Sequence, residues 1–530
     1  MIILYNAKII TQNPVKPHVS ALAIDRDRII ALGNDHEILA EFDKGGVEKY
    51  NLDGRVVIPG LVDAHIHLQH YALGLKKVEC ETSTRQECLN RVALRAQETP
   101  PGEWVLGHGW NQNDWPEGFG TASDLDAIAP DHPVYLTAKS LHAAWANTAA
   151  LRQAGINAQT SDPPGGKLGR DSEGNLDGIL FETAMDLVSR AVPVPSLEQV
   201  TRALNDVQPV FWQMGLTGAH DFDQRQCFAA LQTLQQRGEL KLRIVKSIPL
   251  DDLPHAVEVG LRSGFGDDFL RIGSIKVFAD GALGPRTAAM FQPYETEPEN
   301  RGMLMMDSEQ LFEHGCLAVA NGLGMAVHAI GDLANHEVLN AISQIRHYER
   351  ENRLPQTRMR IEHVQVLHPG DAHRLSELGV IASMQPIHAT SDMTMAGQYW
   401  GNRSALSYAW KTQLESGAAL AFGSDAPVES PHPFWGIHAA VTRRRRDGAP
   451  GPEGWYPEQR LSVAEALKAY TVGAAYAAGM EDRLGQLAPG FLADLLILDV
   501  DPFTCPPEQL LEIKPLATMV AGSWVWQKPA

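Results

Sequence analysis

Cysteine is scarce and scattered: Cys80, Cys88, Cys227, Cys316 and Cys505 form no Cys-x-x-Cys pair. That spacing writes neither a disulfide framework nor a thiolate zinc site, and it suits a reducing cytosol. Positive charge is also short. Sixty-four acidic against 45 basic residues leave a formal charge of −19, which disfavours nucleic acid and anionic membrane as partners. No uncharged apolar run reaches the roughly 18 residues of a membrane span. The start, MIILYNAKII, lacks the basic region, apolar core and cleavage site of a signal peptide. Internal repeats and low-complexity tracts are missing too. The expectation is a soluble cytoplasmic protein, alone or as a homodimer, whose partner is a small molecule.

What is present is ordinary globular composition, 44% hydrophobic and 21% charged over 530 residues, enough for about two to four domains or one large barrel with additions. Residues 1–60 alternate β-branched runs with turns, as at Asp25-Arg26-Asp27. Residues 481–530 do the same, with a hairpin turn at Ala521-Gly522-Ser523. Both ends are predicted to share one small β-sandwich. Between them, residues 61–480 carry eight apolar strand runs, 56–68, 215–221, 241–248, 269–279, 322–329, 358–364, 379–385 and 418–425. Helix-period segments near 225–238, 308–321, 333–350 and 462–478 separate several of them. This alternation predicts an α/β fold, a (β/α)₈ barrel. The excess over the usual ~250 residues of such a barrel falls mainly at 69–200, read as a partly structured insertion over the barrel mouth. Arg443 to Arg446 reads as a solvated helix end or loop rather than a phosphate site.

A barrel of this kind places its active site at the carboxyl ends of the strands. There the residues are Asp63-Ala64-His65-Ile66-His67 on the first run, Lys276 on the fourth, His328 on the fifth, His363 on the sixth and Asp425 on the eighth. Period-two alternation puts His65 and His67 on one face, with Val62, Ala64, Ile66 and Leu68 on the other, predicted to pack on outer helices. By the same test Lys276 points inward, and Ala419, Ala421 and Gly423 share the face of Asp425. Several neutral imidazoles buried together need partners. Imidazole nitrogens and carboxylate oxygens suit Zn²⁺ or a similar divalent metal. Bound metal lowers the pKa of water toward ~7, and a neighbouring carboxylate can take its proton as hydroxide attacks carbon. Asp425 is the natural base.

The runs PGLVDAHIHL (59–68), KVFADGALGPRTA (276–288), HAIGD (328–332), RIEHVQ (360–365), GSDAPV (423–428) and GQLAPGFLADLLILD (485–499) resemble the amidohydrolase superfamily, in particular its amidohydrolase-3 branch. The resemblance spans nearly the whole chain. It implies a distorted TIM barrel with a β-sandwich from both termini, and one or two divalent metals at its mouth. His65, His67 and Asp425 match the more buried metal site. His328 and His363 match the second site, or a ligand and a catalytic histidine in mononuclear members. Lys276 matches the position of a carboxylated lysine bridging two metals, the other reading being a salt bridge to Asp280 or Asp425. Glu182 could be a ligand, a substrate contact or a helix N-terminal residue, and His220 a substrate or supporting residue. Ser140, His142 and Asn147 match a substrate-side motif. Trp110, Trp115 and Trp400 are candidate apolar walls, and Gln385 a candidate partner for a substrate carbonyl or a bound water. The implied activity is hydrolysis of a carbon–nitrogen bond, an amide but not a peptide, in a small organic molecule. A mononuclear deaminase of a cyclic amidine and a ligand-binding barrel without turnover are the alternatives.

Overall fold

The computed structural model describes every residue except 113, 114, 140–142, 296 and 530. Eight parallel strands succeed one another around a barrel: β1 (Leu61–Ile66), β2 (Leu216–Asp221), β3 (Arg243–Pro249), β4 (Leu270–Phe278), β5 (Met325–Ala329), β6 (Met359–His363), β7 (Val380–Met384) and β8 (Leu420–Phe422). Each pairs in parallel with the next. The closing edge is joined at its carboxyl end, where the Asp425 N–H donates to His65 O at 2.7 Å and the His67 N–H to Ala426 O at 2.9 Å. Helices Arg225–Gln236, Ser308–Ala320 and Asp332–Glu351 follow β2, β4 and β5, where the helical period places them. After β8 the helical stretch beginning at Val463 includes a π-turn at Ala469–Gly473 and ends in Ala474–Ala478, whose alanines close the barrel floor.

Register identifies the inward side chains. Lys276 pairs with Ala326, Phe278 with His328, Arg360 with Ala326, and Glu362 with Ser383. Ala421 pairs with Ser383, so the small residues of β8 do face the interior. Strand β1 departs from simple alternation. Gly218 pairs with Val62 but Asp221 with Ile66, which places a bulge between Asp63 and Ile66. Val62 and Ala64 therefore lie inside, clustered with Ile381, Ala421 and Ala474, instead of packing on outer helices. The extra residue switches the phase so that His65 and His67 still point inward above them. Asp63 holds the bulge: its carboxylate accepts the His65 N–H at 3.0 Å, the Ser424 N–H at 3.0 Å and the Ser424 hydroxyl at 2.5 Å.

The chain ends build two sheets. A four-stranded one uses Ile2–Tyr5, Ala21–Asp25, Arg28–Gly33 and Glu48–Asn51. A six-stranded one combines Lys8–Ile10, His18–Val19 and Val56–Pro59 with Leu495–Leu498, Ala517–Val520 and Ser523–Gln527. Leu4, Leu22 and Ile24 of the first interlock with Val57, Leu495, Ile497 and Met519 of the second in one core, the arrangement of a sandwich. Arg243 on β3 ties it to the barrel through a buried ion pair with Asp494, Nη2 to Oδ1 at 2.8 Å.

Residues 71–200 form a separate compact unit. Its described residues carry a sheet and helices of their own. Its six-stranded sheet runs, in spatial order, Gly166–Arg170, Leu176–Glu182, Ala143–Ala146, Val134–Ala138, Val105–Trp110 and Val78–Glu79. Both faces are apolar, with Trp110, Trp115, Leu136 and Trp145 in one core and Tyr135, Ala144, Leu168 and Leu180 in the other. Trp110 and Trp115 are thus spent on packing. Trp110 donates its Nε1–H to Leu136 O at 2.8 Å, which excludes it as a ligand-facing wall. Trp400 is likewise fully buried among Leu283, Met290 and Tyr294 of the other unit. Asn147 caps the helix Thr148–Gln153, accepting the Ala150 N–H at 2.9 Å, a structural duty in place of a pocket role. Arg443 is not solvated. It is 1% exposed, lies over the Trp410 ring and donates to the Tyr408 and Trp455 carbonyls.

Candidate metal centre

Two imidazoles and a carboxylate meet where β1 closes on the end of β8. His65 Nε2 and His67 Nε2 each lie 3.4 Å from Asp425 Oδ1. The far nitrogens are both occupied: His65 Nδ1 is 2.6 Å from Glu362 Oε2, and His67 Nδ1 is 3.1 Å from Asp223 Oδ1. A neutral imidazole that donates from Nδ1 carries a lone pair on Nε2. Three lone-pair-bearing atoms therefore face one another in a buried space, an arrangement that repels unless a cation stands among them. These residues fit a divalent metal.

The protonation equilibria carry the same signature. His67 is raised to about 9: burial opposes its charge, but hydrogen bonds to Asp223 and Asp425 outweigh that. His65 is lowered to about 4, chiefly by burial and then by the Lys276 charge, against the pull of Glu362 and Asp425. Burial also opposes ionisation of Asp425, yet His65, His67 and His363 hold its carboxyl well below the usual range. The site draws positive charge to one point, and a metal ion and a proton compete for it.

His328 and His363 complete the ring around the mouth. Their ring centroids are 4.6 Å apart, and His363 lies 5.1 Å from His65. His328 donates Nε2–H to Gly281 O at 2.9 Å, so Nδ1 is its ligand-ready nitrogen. His363 is the reverse case: Nδ1 donates to Gln385 Oε1 at 2.8 Å, leaving Nε2. By strand parity His363 follows the inward Glu362 and should point out. A φ of +77° at His363 breaks the alternation and turns its ring in, and Asp425 enters in the same way with φ +60°.

Lys276 lies inside the barrel with Nζ 4.6 Å from the Phe222 ring centre and 4.9 Å from that of Phe278. Its pKa falls to about 8, burial being the main cause. Among the described residues no carboxylate comes within ion-pair distance of it, so the salt-bridge reading does not hold. Asp280 is committed elsewhere, accepting the backbone N–H groups of Ala289, Ile330 and Gly331 at 2.8–3.0 Å.

With this geometry in hand, the comparisons with known proteins decide the family. The profile of the amidohydrolase family matches residues 48–526. The chain belongs to the amidohydrolase family. It is 34% identical over 521 residues to the putative amidohydrolase YtcJ of Bacillus subtilis, covering 96% of each chain. To the N-substituted formamide deformylase of Arthrobacter pascens it is 27% identical over 541 residues, covering 98% of this chain and 97% of that one. The crystal structure of a metal-dependent hydrolase from Pyrococcus furiosus superposes with a TM-score of 0.78 at 29% identity, over 95% of this chain and all of the other. The protein is thus an enzyme, a metal-dependent hydrolase of this family.

In this amidohydrolase the other predicted site residues fall in different places. His220 is 1% exposed and accepts on Nδ1 from Arg360 at 2.9 Å. That buries it beneath the metal centre and removes it from substrate contact. Gln385 is 2% exposed and orients His363, a positioning duty in place of the predicted contact with a substrate carbonyl or a water, although its Nε2 keeps no partner. Glu182 ends the strand Leu176–Glu182, with φ +51°, and does not open a helix. Ser140 and His142 lie outside the described residues.

Four functional neighbours escaped the sequence reading. Glu362 and Asp223 orient the two histidines of β1. Arg360 neutralises Glu362 and also donates to Ala64 O and Ser383 Oγ. A charged pair two apart inside an apolar strand, Arg360 and Glu362, was the available signal, as was the Asp221-Phe222-Asp223 doublet after β2. His388, three residues past Gln385, stacks near His363 at 6.1 Å and 15° and lies 4.0 Å from Asp425 Oδ2.

Proposed function

We propose that this amidohydrolase cleaves the amide carbon–nitrogen bond of a small organic molecule. In this reading His65, His67 and Asp425 hold one divalent ion, Zn²⁺ or a similar cation, and His328, His363 and a carboxylated Lys276 hold a second. The observation that carries the reading is the convergence of two carboxylate-locked imidazoles on the Asp425 carboxylate. The amide bond is supported by the relative whose name specifies N-substituted formamides. A divalent cation held there would supply Lewis acidity, polarising a carbonyl oxygen and bringing the pKa of water toward ~7.

Asp425 divides its work between two oxygens. Oδ1 faces the imidazoles of β1, and Oδ2 faces His388 at 4.0 Å. Oδ2 is therefore the oxygen placed to accept a proton from the attacking water and hand it to the departing nitrogen. The water oxygen bonds to the carbonyl carbon, the carbon–nitrogen bond breaks, and the amine leaves with that proton. Gln385 keeps the His363 ring in one orientation throughout. Lys276, buried with no carboxylate partner among the described residues, is suited to reaction of its neutral amine with carbon dioxide, which releases a proton and replaces a cation by a carbamate whose single negative charge is shared by two oxygens.

Elemental analysis tests the assignment. Wild-type protein should hold tightly bound divalent metal, while His65→Ala and His67→Ala should lose metal and amidase activity yet keep their fold by circular dichroism. Wild-type metal content in both variants would overturn it. Active enzyme with one ion per chain and an unmodified Lys276 mass would eliminate the two-metal version alone.

A further inference from the structure

The end of the barrel opposite the metal centre holds a cavity of about 510 Å³. It opens where β4, β5 and β6 begin, and its wall includes Arg262, Arg271, Arg358, Ser263, Ser274 and Gln356. Among the described residues no carboxylate lines it. We propose that this cavity binds a phosphate group, either inorganic phosphate or the phosphate of a small metabolite, at a site separate from the hydrolytic one.

The charges in the wall are not balanced. Arg358 is paired with Glu481 and lies over the Tyr476 ring. Arg271 is only 9% exposed, and its inward position follows from the pairing with Val245 on β3. Its guanidinium donates from Nη2 to Gly264 O at 3.0 Å, and among the described residues its buried Nε–H has no acceptor. A guanidinium so placed is expensive to leave without an anion. Burial depresses its pKa; Arg483 and Arg358 act in the same direction, while Asp268 and Asp482 act against them without pairing with it. Among the described residues Arg262 makes no ion pair and no side-chain hydrogen bond. Its stem lies against Gly322, where a Cβ would come within 3.5 Å of Arg262 Cδ.

The chemistry favours phosphate over a carboxylate. Arg262 and Arg271, neither of which makes an ion pair among the described residues, bring two guanidiniums to one wall, and their planar forks suit phosphate oxygens. The Ser274 hydroxyl and the Gln356 amide add neutral donors around it. Ser263 is already engaged, donating to Gly273 O at 2.6 Å and accepting the Gly324 N–H at 3.0 Å, and so serves to hold the wall. The volume exceeds that of a lone phosphate and leaves room for an attached group of sugar size.

Calorimetric titration of the metal-loaded enzyme with inorganic phosphate and with ribose 5-phosphate, against potassium chloride at matched ionic strength, tests the site. Saturable binding is expected for wild type, weakened about tenfold or more in Arg262→Ala and in Ser274→Ala, which corresponds to ~1.4 kcal/mol or more. Arg262→Ala should keep its hydrolytic rate without added anion, because Arg262 is remote from the metal centre. Arg271→Gln should abolish binding, and should it fail to fold, the exposed Arg262 decides the matter. Tighter binding of ribose 5-phosphate identifies a metabolite site, and equal binding an inorganic phosphate site; both support the proposal. Absence of saturable binding of either probe, or undiminished binding in Arg262→Ala and Ser274→Ala, would overturn it.

Discussion

At the residue scale the metal centre depends on which nitrogen of each imidazole is free, and this is set by groups behind the ring. Glu362 and Asp223 take the Nδ1–H of His65 and His67. Glu362→Gln should lower metal affinity about 10–100-fold by weakening that hold, measured by competition with a chelator. Asp223→Asn should act similarly through His67 with a smaller loss of stability, since Glu362 also balances buried Arg360 and Asp223 balances no arginine. Unchanged affinity in both would show that the rings need no orienting partner. Asp425→Asn should fold and keep part of its metal while losing several orders of magnitude in kcat, because an amide cannot accept the proton. Turnover within about tenfold of wild type, a barrier change of ~1.4 kcal/mol, would exclude Asp425 as the base.

At the scale of elements, departures from regular strand geometry place the ligands. The bulge in β1 exists because Asp63 gathers the His65 N–H with the backbone and hydroxyl of Ser424. Asp63→Ala leaves three buried donors without an acceptor, at ~1 kcal/mol or more each, and should lower unfolding free energy by about 3 kcal/mol together with metal content. Ser424→Ala, which removes one donor to Asp63 and leaves only the Ala426 N–H without its acceptor, should be milder. Equal urea midpoints for Asp63→Ala and wild type would refute this role. His363 and Asp425 enter the centre through positive φ at the ends of β6 and β8, and Val364, a β-branched residue, also sits at φ +43°. Such backbone is strained for any residue but glycine, and the surrounding closure of the barrel sustains it. Alternation foresaw the inward Lys276, whereas His65 points inward only because the bulge in β1 switches the phase. It could not foresee His363, since a dihedral break leaves no mark in the periodicity of side chains.

At the scale of the molecule, folding keeps several imidazoles neutral, and acid should act through them. His432 and His438, away from the metal centre, are both lowered from 6.5 to about 4, mainly by burial, with Lys514 and Arg446 adding to the first and Arg444 to the second. Between those values the unfolded chain binds more protons than the folded one, so stability is full above pH 6.5 and declines as pH falls toward 4. His432→Phe should therefore gain on wild type as pH drops from 7 to 5, by at most ~1.4 kcal/mol per pH unit, read from urea midpoints at the two values. A constant difference across that range would show that His432 does not titrate in this way.

Much of this architecture is determined by the sequence alone. Eight apolar runs, several of them separated by helical periods, point to a (β/α)₈ barrel, and histidines at three strand ends with an aspartate at the last name the chemistry, because local periodicity and residue type survive without knowledge of contacts. The bounds of the insertion at 69–200 were legible, but its sheet was not, for the opposite reason. Its short strands are apolar on both faces, a pattern that signals an independent sheet only once Trp110, Trp115 and Trp145 are seen to share one core. Tertiary structure alone decided the partners behind the ligands. Glu362 lies 297 residues from His65, and Asp223 lies 156 from His67. Asp63 and Ser424 are joined across 361 residues. Pairings over such separations arise from closure of the barrel, which brings β1 against β8 and stacks Arg360 and Glu362 beneath the histidines. No local pattern encodes which distant carboxylate will meet which ring.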